Sequence, residues 1–397
     1  MMKPADFLVR LQALMASPAD AVPLVAEDLT LDLWGVQPAE LDWLLDYLGP
    51  LARPGAGAAG PRWRVGTRFD AALVSAGIAL VESGGVDHLP VWNGRSQVQR
   101  LFLADGWVVD VDPRYGALYV HEPAARRLLL VTSLHVGHPL HELARLLRGL
   151  ITDHLRARGW SLFHAGAVRV GGRDCLVIGD AGAGKTSLIL ALLHGGAQFI
   201  ANDRIFLRPG PDGLAWRPFP MAVAVGLGTA LQYPALEYLL HHPQRLRYPR
   251  RRLDVDRLAA TPVRDWPRLP DKLQLFPGEL VSLFGGGTLP EQGTIDAVLL
   301  PRLGLVQGLA LQAMAPAQAG AVIVRNHLSA ASDPVHPAWL PGAAPGDEEA
   351  AGRRVCEALG ALPLVDCHFT AGRHLLNAMR DWPAGLGRWL EDEAAVA

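Results

Sequence analysis

The chain of 397 residues is 50% hydrophobic and 19% charged, a composition that excludes a disordered protein and supplies one large core or two ordinary ones. Its formal net charge of −2 gives no overall basic surface, so nucleic-acid and membrane partners are not expected. The N-terminal stretch lacks the apolar core of a signal peptide and no apolar run approaches the length of a membrane span, which favours a cytoplasmic location.

The first 62 residues predict a small helical module and a linker. Apolar residues recur at helical spacing from Phe7 to Leu14 and from Leu41 to Leu48, and Pro38 suits the first turn of the second helix. The segment 51–62 is rich in glycine, alanine and proline, a composition typical of flexible linkers. We therefore expect residues 1–50 to form a tethered helical module.

Residues 63–145 predict a β-rich N-terminal domain. Runs of β-formers occupy 102–111, 118–120 and 127–132, and the Asp-Pro-Arg-Tyr-Gly segment at 112–116 has turn chemistry. These strands predict an antiparallel layer.

Two polar segments of this region have alternative interpretations. Trp92 to Arg95 predicts a turn between strands, with a substrate-facing loop as the alternative. His135, His138 and His141 are spaced by three residues, so a metal site is one interpretation. Pro139 favours a helix start within this run, which supports solvated or capping histidines instead.

A phosphate-binding loop is the strongest motif in the sequence. The apolar run from Cys175 to Ile178 predicts a buried strand, the segment from Gly179 to Thr186 reads G-x-x-x-x-G-K-T, and an apolar helix pattern follows from Ser187. Such a loop wraps backbone N–H groups around phosphate, while Lys185 reaches the β- and γ-phosphates and the Thr186 hydroxyl binds Mg²⁺. The residues expected to line the site are Gly179, Asp180, Ala181, Gly182, Ala183, Gly184, Lys185, Thr186 and Ser187. A glycine-rich connection without a ligand is the alternative, and the spacing does not fit the G-x-G-x-x-G of nicotinamide folds.

Polar residues on two neighbouring strands are expected near this loop. His164 lies on a strand that turns at Gly171-Gly172 back into the loop strand, as an antiparallel hairpin. Asn202 and Asp203 end the strand after the loop helix, so only one helix and one strand separate Lys185 from this acid. A buried histidine with satisfied ring nitrogens is the alternative to an active-site role for His164.

The stretch from His164 to Leu207 resembles the catalytic core of the HPr kinase/phosphorylase family, whose phosphate-binding fold is similar to phosphoenolpyruvate carboxykinase. The family includes kinases of peptide natural products, such as lasso-peptide kinases. The resemblance rests on the His164 strand, the loop at 179–186, the helix and the Ala-Asn-Asp-Arg motif at 201–204. It implies an α/β P-loop kinase domain at 146–380 with a C-terminal tail at 381–397, preceded by the helical module and the β-rich layer, and assembly into a homo-oligomer.

The resemblance also implies roles for the acidic motif. In the family this motif has two aspartates, of which the first acts as acid or base at the substrate hydroxyl and the second helps to hold the metal. Here the two positions hold Asn202 and Asp203. Asp203 would therefore hold Mg²⁺ together with Thr186, and the base is either Asp203 or His164, because an amide does not usefully accept a proton. The Gly-Leu-Gly at 226–228 lacks the glutamate and arginine that accompany it in true HPr kinases, which argues against phosphorylase activity on HPr.

The remaining sequence adds weaker expectations. The basic segment from Gln244 to Arg257 is either a solvated face or a clamp for phosphates, and Lys272 has the same two interpretations. Core strands are expected at 294–300 and 320–324, and Arg325 to His327 would follow the second at a ligand-binding strand end. The three cysteines show no metal-ligand spacing and are expected to be reduced thiols.

Together these features predict an enzyme that uses ATP and Mg²⁺ to phosphorylate a hydroxyl group. The acceptor implied by the resemblance is a peptide or protein serine, or a small molecule of natural-product biosynthesis. The alternative is a regulatory protein that binds or hydrolyses ATP without phosphotransfer, for which the replacement of the first aspartate by Asn202 is the argument.

Overall fold

The computed structural model describes residues 2–16, 20–55, 57, 59–92, 97–133, 138–219, 221–248, 253–285, 287–304, 306, 308–333 and 345–396. The chain divides into two compact units. The first unit comprises residues 1–158 and 330–343, and the second unit comprises residues 159–329 and 344–397. Each unit has a large sheet with helices, so the protein is of the mixed α/β class.

The sheet of the first unit has nine strands among the described residues, in the order β3-β1-β2-β4-β9-β8-β7-β6-β5. The strands are β1 (Val22–Ala26), β2 (Leu29–Trp34), β3 (Arg53–Pro54), β4 (Arg62–Phe69), β5 (His88–Trp92), β6 (Gln97–Phe102), β7 (Val108–Asp112), β8 (Ala117–Glu122) and β9 (Arg127–Thr132). The helices are α1 (Pro4–Ala16), α2 (Pro38–Leu48), α3 (Ala71–Glu82) and α4 (His138–Arg156).

Alternation along the strands builds the core of the first unit. Alternate residues of β8 and β9 join one buried cluster with residues of α1 and α3, among them Leu118, Val120, Leu129, Val131, Phe7 and Leu73. This is the period-two pattern that places every second side chain of a strand on the same face. The sequence-predicted strands at 118–120 and 127–132 are therefore present as β8 and β9.

The N-terminal segment differs from the predicted module. Both predicted helices form, as α1 and α2, but the hairpin β1–β2 lies between them. Strand β2 pairs in parallel with β4, which lies on the far side of the predicted linker. The predicted boundaries at 51–62 and at 145 consequently differ from the units of the structure, because one sheet spans both sides of the linker and α4 belongs to the first unit.

The second unit contains a ten-stranded mixed sheet and a two-stranded one among the described residues. The first has β10 (Ser161–Phe163), β11 (Ala165–Val170), β12 (Arg173–Ile178), β13 (Gln198–Ala201), β14 (Ile205–Gly210), β15 (Gly213–Pro218), β18 (Gly293–Leu303), β19 (Leu309–Ala313), β20 (His327–Leu328) and β21 (Leu364–Phe369). The second has β16 (Val223–Gly226) and β17 (Lys272–Leu275). The helices are α5 (Lys185–His194), α6 (Leu227–Ala230), α7 (Pro234–His241), α8 (Val255–Ala260), α9 (Pro277–Phe284), α10 (Pro316–Arg325), α11 (Pro345–Gly360), α12 (Leu376–Met379) and α13 (Trp382–Val396).

The ten-stranded sheet follows the order β13-β11-β12-β18-β15-β14-β10-β20, and β21 pairs with β18 and β19. Strands β12, β18 and β21 run parallel, so their carboxyl ends share one edge. Strands β11 and β12 form the antiparallel hairpin predicted from the sequence, with Ala165 opposite Ile178. The structure thus places the residue before β11 beside the end of β12.

Strand β12 is buried on both faces. Cys175 and Val177 join the cluster that contains α5, whereas Leu176 and Ile178 join the cluster that contains residues of α10 and α11. A strand covered by helices on both sides reads as a continuous apolar run rather than an alternating one, which explains the sequence pattern.

The predicted strand at 320–324 is wrong, because these residues lie inside helix α10. Pro316 occupies the first turn, and the Gln318 side chain accepts a hydrogen bond from the backbone N–H of Ala315. Ala319 and Ile323, four residues apart, are the buried residues of the helix. A short apolar run does not by itself distinguish a strand from a buried helix turn.

No helix among the described residues combines the length and the apolar character that crossing a lipid bilayer requires.

The thiols lead to a first testable prediction. Cys175 and Cys367 are buried and Cys356 is partly exposed. Burial raises the pKa of Cys175 to about 12 and raises the pKa of Cys367 and, less strongly, of Cys356. Since the thiolate is the reactive form, we expect Ellman's reagent at about pH 8 to label at most one of the three cysteines in the folded protein and all three after denaturation. Rapid labelling of two thiols in the folded protein would contradict the burial of β12 and β21.

Candidate active site

The glycine-rich loop, residues 179–184, joins the end of β12 to the start of α5. Gly184 caps the helix with a φ of +101°, and a Cβ there would lie 3.0 Å from the Phe369 ring. Helix α5 begins at Lys185, two residues before the predicted start at Ser187. Its first N–H groups lack intrahelical partners and carry the positive end of the helix dipole, so this end of α5 is suited to bind an anion.

Lys185 is folded back over the loop. Its Nζ donates hydrogen bonds to the carbonyl oxygens of Gly179 at 2.7 Å and Asp180 at 3.3 Å. Burial lowers the pKa of Lys185, while the charges of Asp203 and Asp180 oppose that change. The ammonium group therefore lies at the loop with loop oxygen atoms as its partners.

The hydroxyl groups at the start of α5 have partners on other elements. Thr186 Oγ1 donates to Oδ1 of Asn202 at 3.3 Å, and Ser187 Oγ lies 3.3 Å from Oγ1 of Thr229. Asn202 is buried immediately after β13. Because the hydroxyl proton of Thr186 is directed at an amide oxygen, its lone pairs remain for a further partner.

His164 and Asp203 form a pair next to this helix start. His164 is the single residue between β10 and β11, and its Nε2 lies 3.2 Å from Oδ1 of Asp203. The backbone N–H of His164 donates to the carbonyl oxygen of Asn326 at 2.7 Å. Asp203 has a φ of +72°, in the left-handed region that non-glycine residues seldom adopt.

The pKa of Asp203 lies below its ordinary value of 3.8. Burial alone raises this pKa, but the hydrogen bond and charge of His164, with the charges of Arg204 and Lys185, lower it by more. The side chains of His164 and Asp203 are 34% and 43% exposed, so a ligand can reach both. The pair thus presents an ionised carboxylate beside an imidazole.

Gly166 on β11 brings these elements together. A Cβ at this position would lie 2.4 Å from Cδ1 of Ile189 in α5 and 2.9 Å from the carbonyl oxygen of Ala201 in β13. Only glycine therefore permits α5 and the end of β13 to pack this closely on β11. The sequence analysis did not single out Gly166, although a Cβ here would also lie 3.5 Å from Cα of Asn202.

Five candidate residues of the second unit are thus joined by direct interactions. Asp203 interacts with His164 and with the charge of Lys185, and Asn202 bonds to Thr186. Of the weaker candidates, Lys272 and the described part of the basic segment are not in this set of contacts, whereas the backbone of Asn326 bonds to His164. Lys272 is exposed on β17, and Arg257 pairs with Asp271 at 2.9 Å. The centre of the basic segment, residues 249–252, lies outside the described residues.

The predicted metal site of three histidines lies largely outside the described residues. His141 is buried in α4 of the first unit, whereas His135 and the side chain of His138 lie outside the described residues, as does most of the predicted turn at 92–95. Within the described residues, the cluster with metal-ligand proximity is Glu27, Asp28 and His154. The guanidinium of Arg158 lies 2.5 Å from Asp28, so this cluster is an ion-pair network.

Sequence reasoning missed a charged group at the same sheet edge as the loop. Arg302 is the second-last residue of β18, and its Nε lies 3.0 Å from Oδ1 of Asp366 on β21. The Oδ2 of Asp366 lies 3.1 Å from Nε2 of His368. Arg302 and His368 are paired in the parallel register. A partial signal was present, since Arg302 follows the predicted strand at 294–300 by two residues, but only the pairing of β18 with β21 brings it beside His368.

A cleft of about 270 Å³ borders the loop. Its walls include Gly179, Asp180, Ala183, Pro301, Gln318 and Val322. The Asp180 side chain at this cleft also pairs with Arg325, the last residue of α10, at 3.0 Å. The cleft thus lies between the loop, the end of β18 and α10.

Comparison with known proteins found a likeness among solved structures only. No protein-family model matches the chain, and no curated protein matches it. Among solved structures, the Hpr(Ser) kinase/phosphatase from Coxiella burnetii is similar over 59% of this chain and 95% of that chain, with 12% sequence identity and a TM-score of 0.28.

Proposed function

We propose that the chain is a kinase that transfers the γ-phosphate of ATP to a hydroxyl group of a peptide or protein serine, or of a small natural product. The observation that carries this proposal is the meeting of a G-x-x-x-x-G-K-T loop with an acid–imidazole pair. Lys185 and Thr186 supply the phosphate side of such a site, and Asp203 with His164 supplies the acceptor side.

The loop accounts for the nucleotide in this proposal. The backbone N–H groups at 179–186 would surround the β- and γ-phosphates, and Lys185 would exchange its two carbonyl partners for phosphate oxygens. Placed cations and N–H groups neutralise the charge that develops on the transferred group, which is the main catalytic contribution in phosphoryl transfer.

The oxygen donors near the loop fit Mg²⁺. Thr186 and Asp203 would hold the ion, since a hydroxyl and a carboxylate are the hard oxygen ligands that Mg²⁺ prefers, and the lowered pKa of Asp203 keeps its carboxylate ionised. When bound, the ion would neutralise charge on the phosphate oxygens.

The acid–imidazole pair would accept the proton of the acceptor hydroxyl. The acceptor oxygen forms a bond to the γ-phosphorus, the bond from that phosphorus to the bridging oxygen breaks, and ADP leaves with the electron pair. The hydroxyl proton passes to the pair formed by Asp203 Oδ1 and His164 Nε2. Asn202 would position the Thr186 hydroxyl instead of accepting this proton.

The experiment that tests the proposal is mass spectrometry of candidate acceptors after incubation with the protein, Mg²⁺ and γ-labelled ATP. A gain of one labelled phosphoryl group on one acceptor, dependent on the protein, supports the kinase. Hydrolysis of ATP at the same rate with and without every acceptor, and no labelled product, argues for the second candidate.

The second candidate is a nucleotide-binding regulatory protein that hydrolyses ATP without phosphotransfer. Asn202 favours it, because this buried amide occupies the position where the resembled family has its first aspartate. ADP release that rises with an added acceptor would separate the kinase from this candidate.

Asn202→Asp provides a further prediction. A carboxylate keeps the acceptor for the Thr186 hydroxyl and adds a proton-accepting group, so we expect the transfer rate to stay the same or to rise by up to about tenfold. Initial rates of product formation measure this, with circular dichroism as the check on folding. A fall of about a hundredfold in a folded variant would show that the amide itself takes part in the reaction.

A further inference from the structure

Arg325 has a fixed position beside the candidate catalytic pair. It ends α10, and the next residue, Asn326, is buried and donates from Nδ2 to the carbonyl oxygen of Val322 at 2.8 Å. The carbonyl oxygen of Asn326 accepts the backbone N–H of His164 at 2.7 Å. The backbone that carries Arg325 is therefore tied directly to His164.

The Arg325 guanidinium holds a carboxylate of the glycine-rich loop. Nη2 donates to Oδ2 of Asp180 at 3.0 Å, and Nε lies 3.4 Å from Oδ1. The two side chains are 55% and 59% exposed. An exposed ion pair of this kind is weak, so a more highly charged anion can replace the carboxylate.

Asp180 is also a partner of Lys185. Its carbonyl oxygen accepts a hydrogen bond from Lys185 Nζ at 3.3 Å, while its carboxylate binds Arg325. Two cations from different elements thus converge on the second residue of the loop. In a P-loop the lysine is the group that reaches the β- and γ-phosphates, so the arginine lies near the same end of the triphosphate.

We propose that Arg325 binds the terminal phosphate of the nucleoside triphosphate. When the nucleotide binds, the guanidinium releases the Asp180 carboxylate and binds γ-phosphate oxygens instead. Its two N–H donors, on Nε and Nη2, suit phosphate oxygens as well as carboxylate oxygens. Asp180 keeps the arginine at the loop while no nucleotide is bound. This inference rests on the proposed function, and it adds a specific consequence, which is that Arg325 makes the site prefer triphosphate over diphosphate.

The test measures nucleotide affinity and needs no acceptor. ATP and ADP, each with Mg²⁺, are titrated by calorimetry into the wild type, Arg325→Ala, Arg325→Lys and Asp180→Asn. We expect Arg325→Ala to lose about 10- to 100-fold in affinity for ATP and at most about threefold for ADP. Arg325→Lys should recover part of the loss, and Asp180→Asn, which removes the competing carboxylate, should not weaken ATP binding.

Arg268→Ala is the matched control, because Arg268 is an exposed arginine of the same unit whose Nη1 lies 3.2 Å from a carboxylate oxygen of Asp265, without a described contact to the loop. It should leave the ratio of ATP to ADP affinity unchanged. Equal losses for ATP and ADP in Arg325→Ala, or an unchanged ratio, would overturn the inference while the proposed function stands. A wild type that binds neither nucleotide would instead reject the proposed function, and the inference with it.

Discussion

Replacing Lys185 with alanine is expected to reduce phosphoryl transfer by about 10³-fold. The Nζ of Lys185 lies 2.7 Å from the carbonyl oxygen of Gly179, so its positive charge lies at the loop. Without it, the loop N–H groups remain but the negative charge of the β- and γ-phosphates has no lysine to neutralise it. Initial rates of labelled product, or of ADP formation if no acceptor is known, measure the effect.

Lys272→Ala is the control for this experiment, since Lys272 is an exposed lysine on β17 without a contact to the loop among those described. It should retain the wild-type rate within about twofold, as surface substitutions usually change little. If Lys185→Ala kept more than about a tenth of the activity, the assignment of the loop as the phosphate site would have to be abandoned.

Replacing Asp203 with asparagine is expected to slow transfer by about 10²- to 10⁴-fold while nucleotide affinity changes far less. The variant keeps the shape of the side chain but loses the negative charge that pairs with His164 and that would hold Mg²⁺. A rate close to that of the wild type would show that the metal assignment is wrong. Asp212→Asn, at an exposed acid in the turn between β14 and β15, is the matched control.

The Asp203→Asn variant also tests how the ionised carboxylate contributes to stability as the pH changes. The folded pKa of Asp203 is lower than its ordinary value of 3.8, so the unfolded chain takes up this proton first as the pH falls. The stabilisation from the ionised carboxylate is therefore complete above about pH 4 and is lost as the pH falls through the folded pKa. The difference in melting temperature between the wild type and Asp203→Asn should shrink below that pH.

Local patterns were sufficient for the parts of the fold that lie close together in sequence. The β11–β12 hairpin, the loop and α5 follow one another along the chain, and turn glycines and apolar periodicity mark each of them. The same holds for the contact between His164 and Asp203, because one hairpin and one helix–strand unit are enough to bring them together.

Long-range pairing was not predictable in the same way. The parallel ladders that join β2 to β4 and β12 to β18 depend on which apolar strands find one another, and no local signal in the strands specifies the partner. The pairing of Asp180 with Arg325 depends in turn on α10, whose central residues 320–324 have a run that fits either a strand or a helix.

The single residue between β10 and β11, His164, limits which changes of chain length the fold can accommodate at this point. Strand β10 pairs with β14 and β20, while β11 pairs with β12 and β13, so each of the two strands that flank His164 is held by two hydrogen-bond ladders. Because a single residue separates the two strands, a deletion here requires either the loss of a paired residue or a register shift of β10 or β11, and a shift by one residue turns every side chain of that strand to the opposite face. A change of chain length is thus more readily accommodated in the surrounding loops than at His164, whose position is set by the strands on both sides.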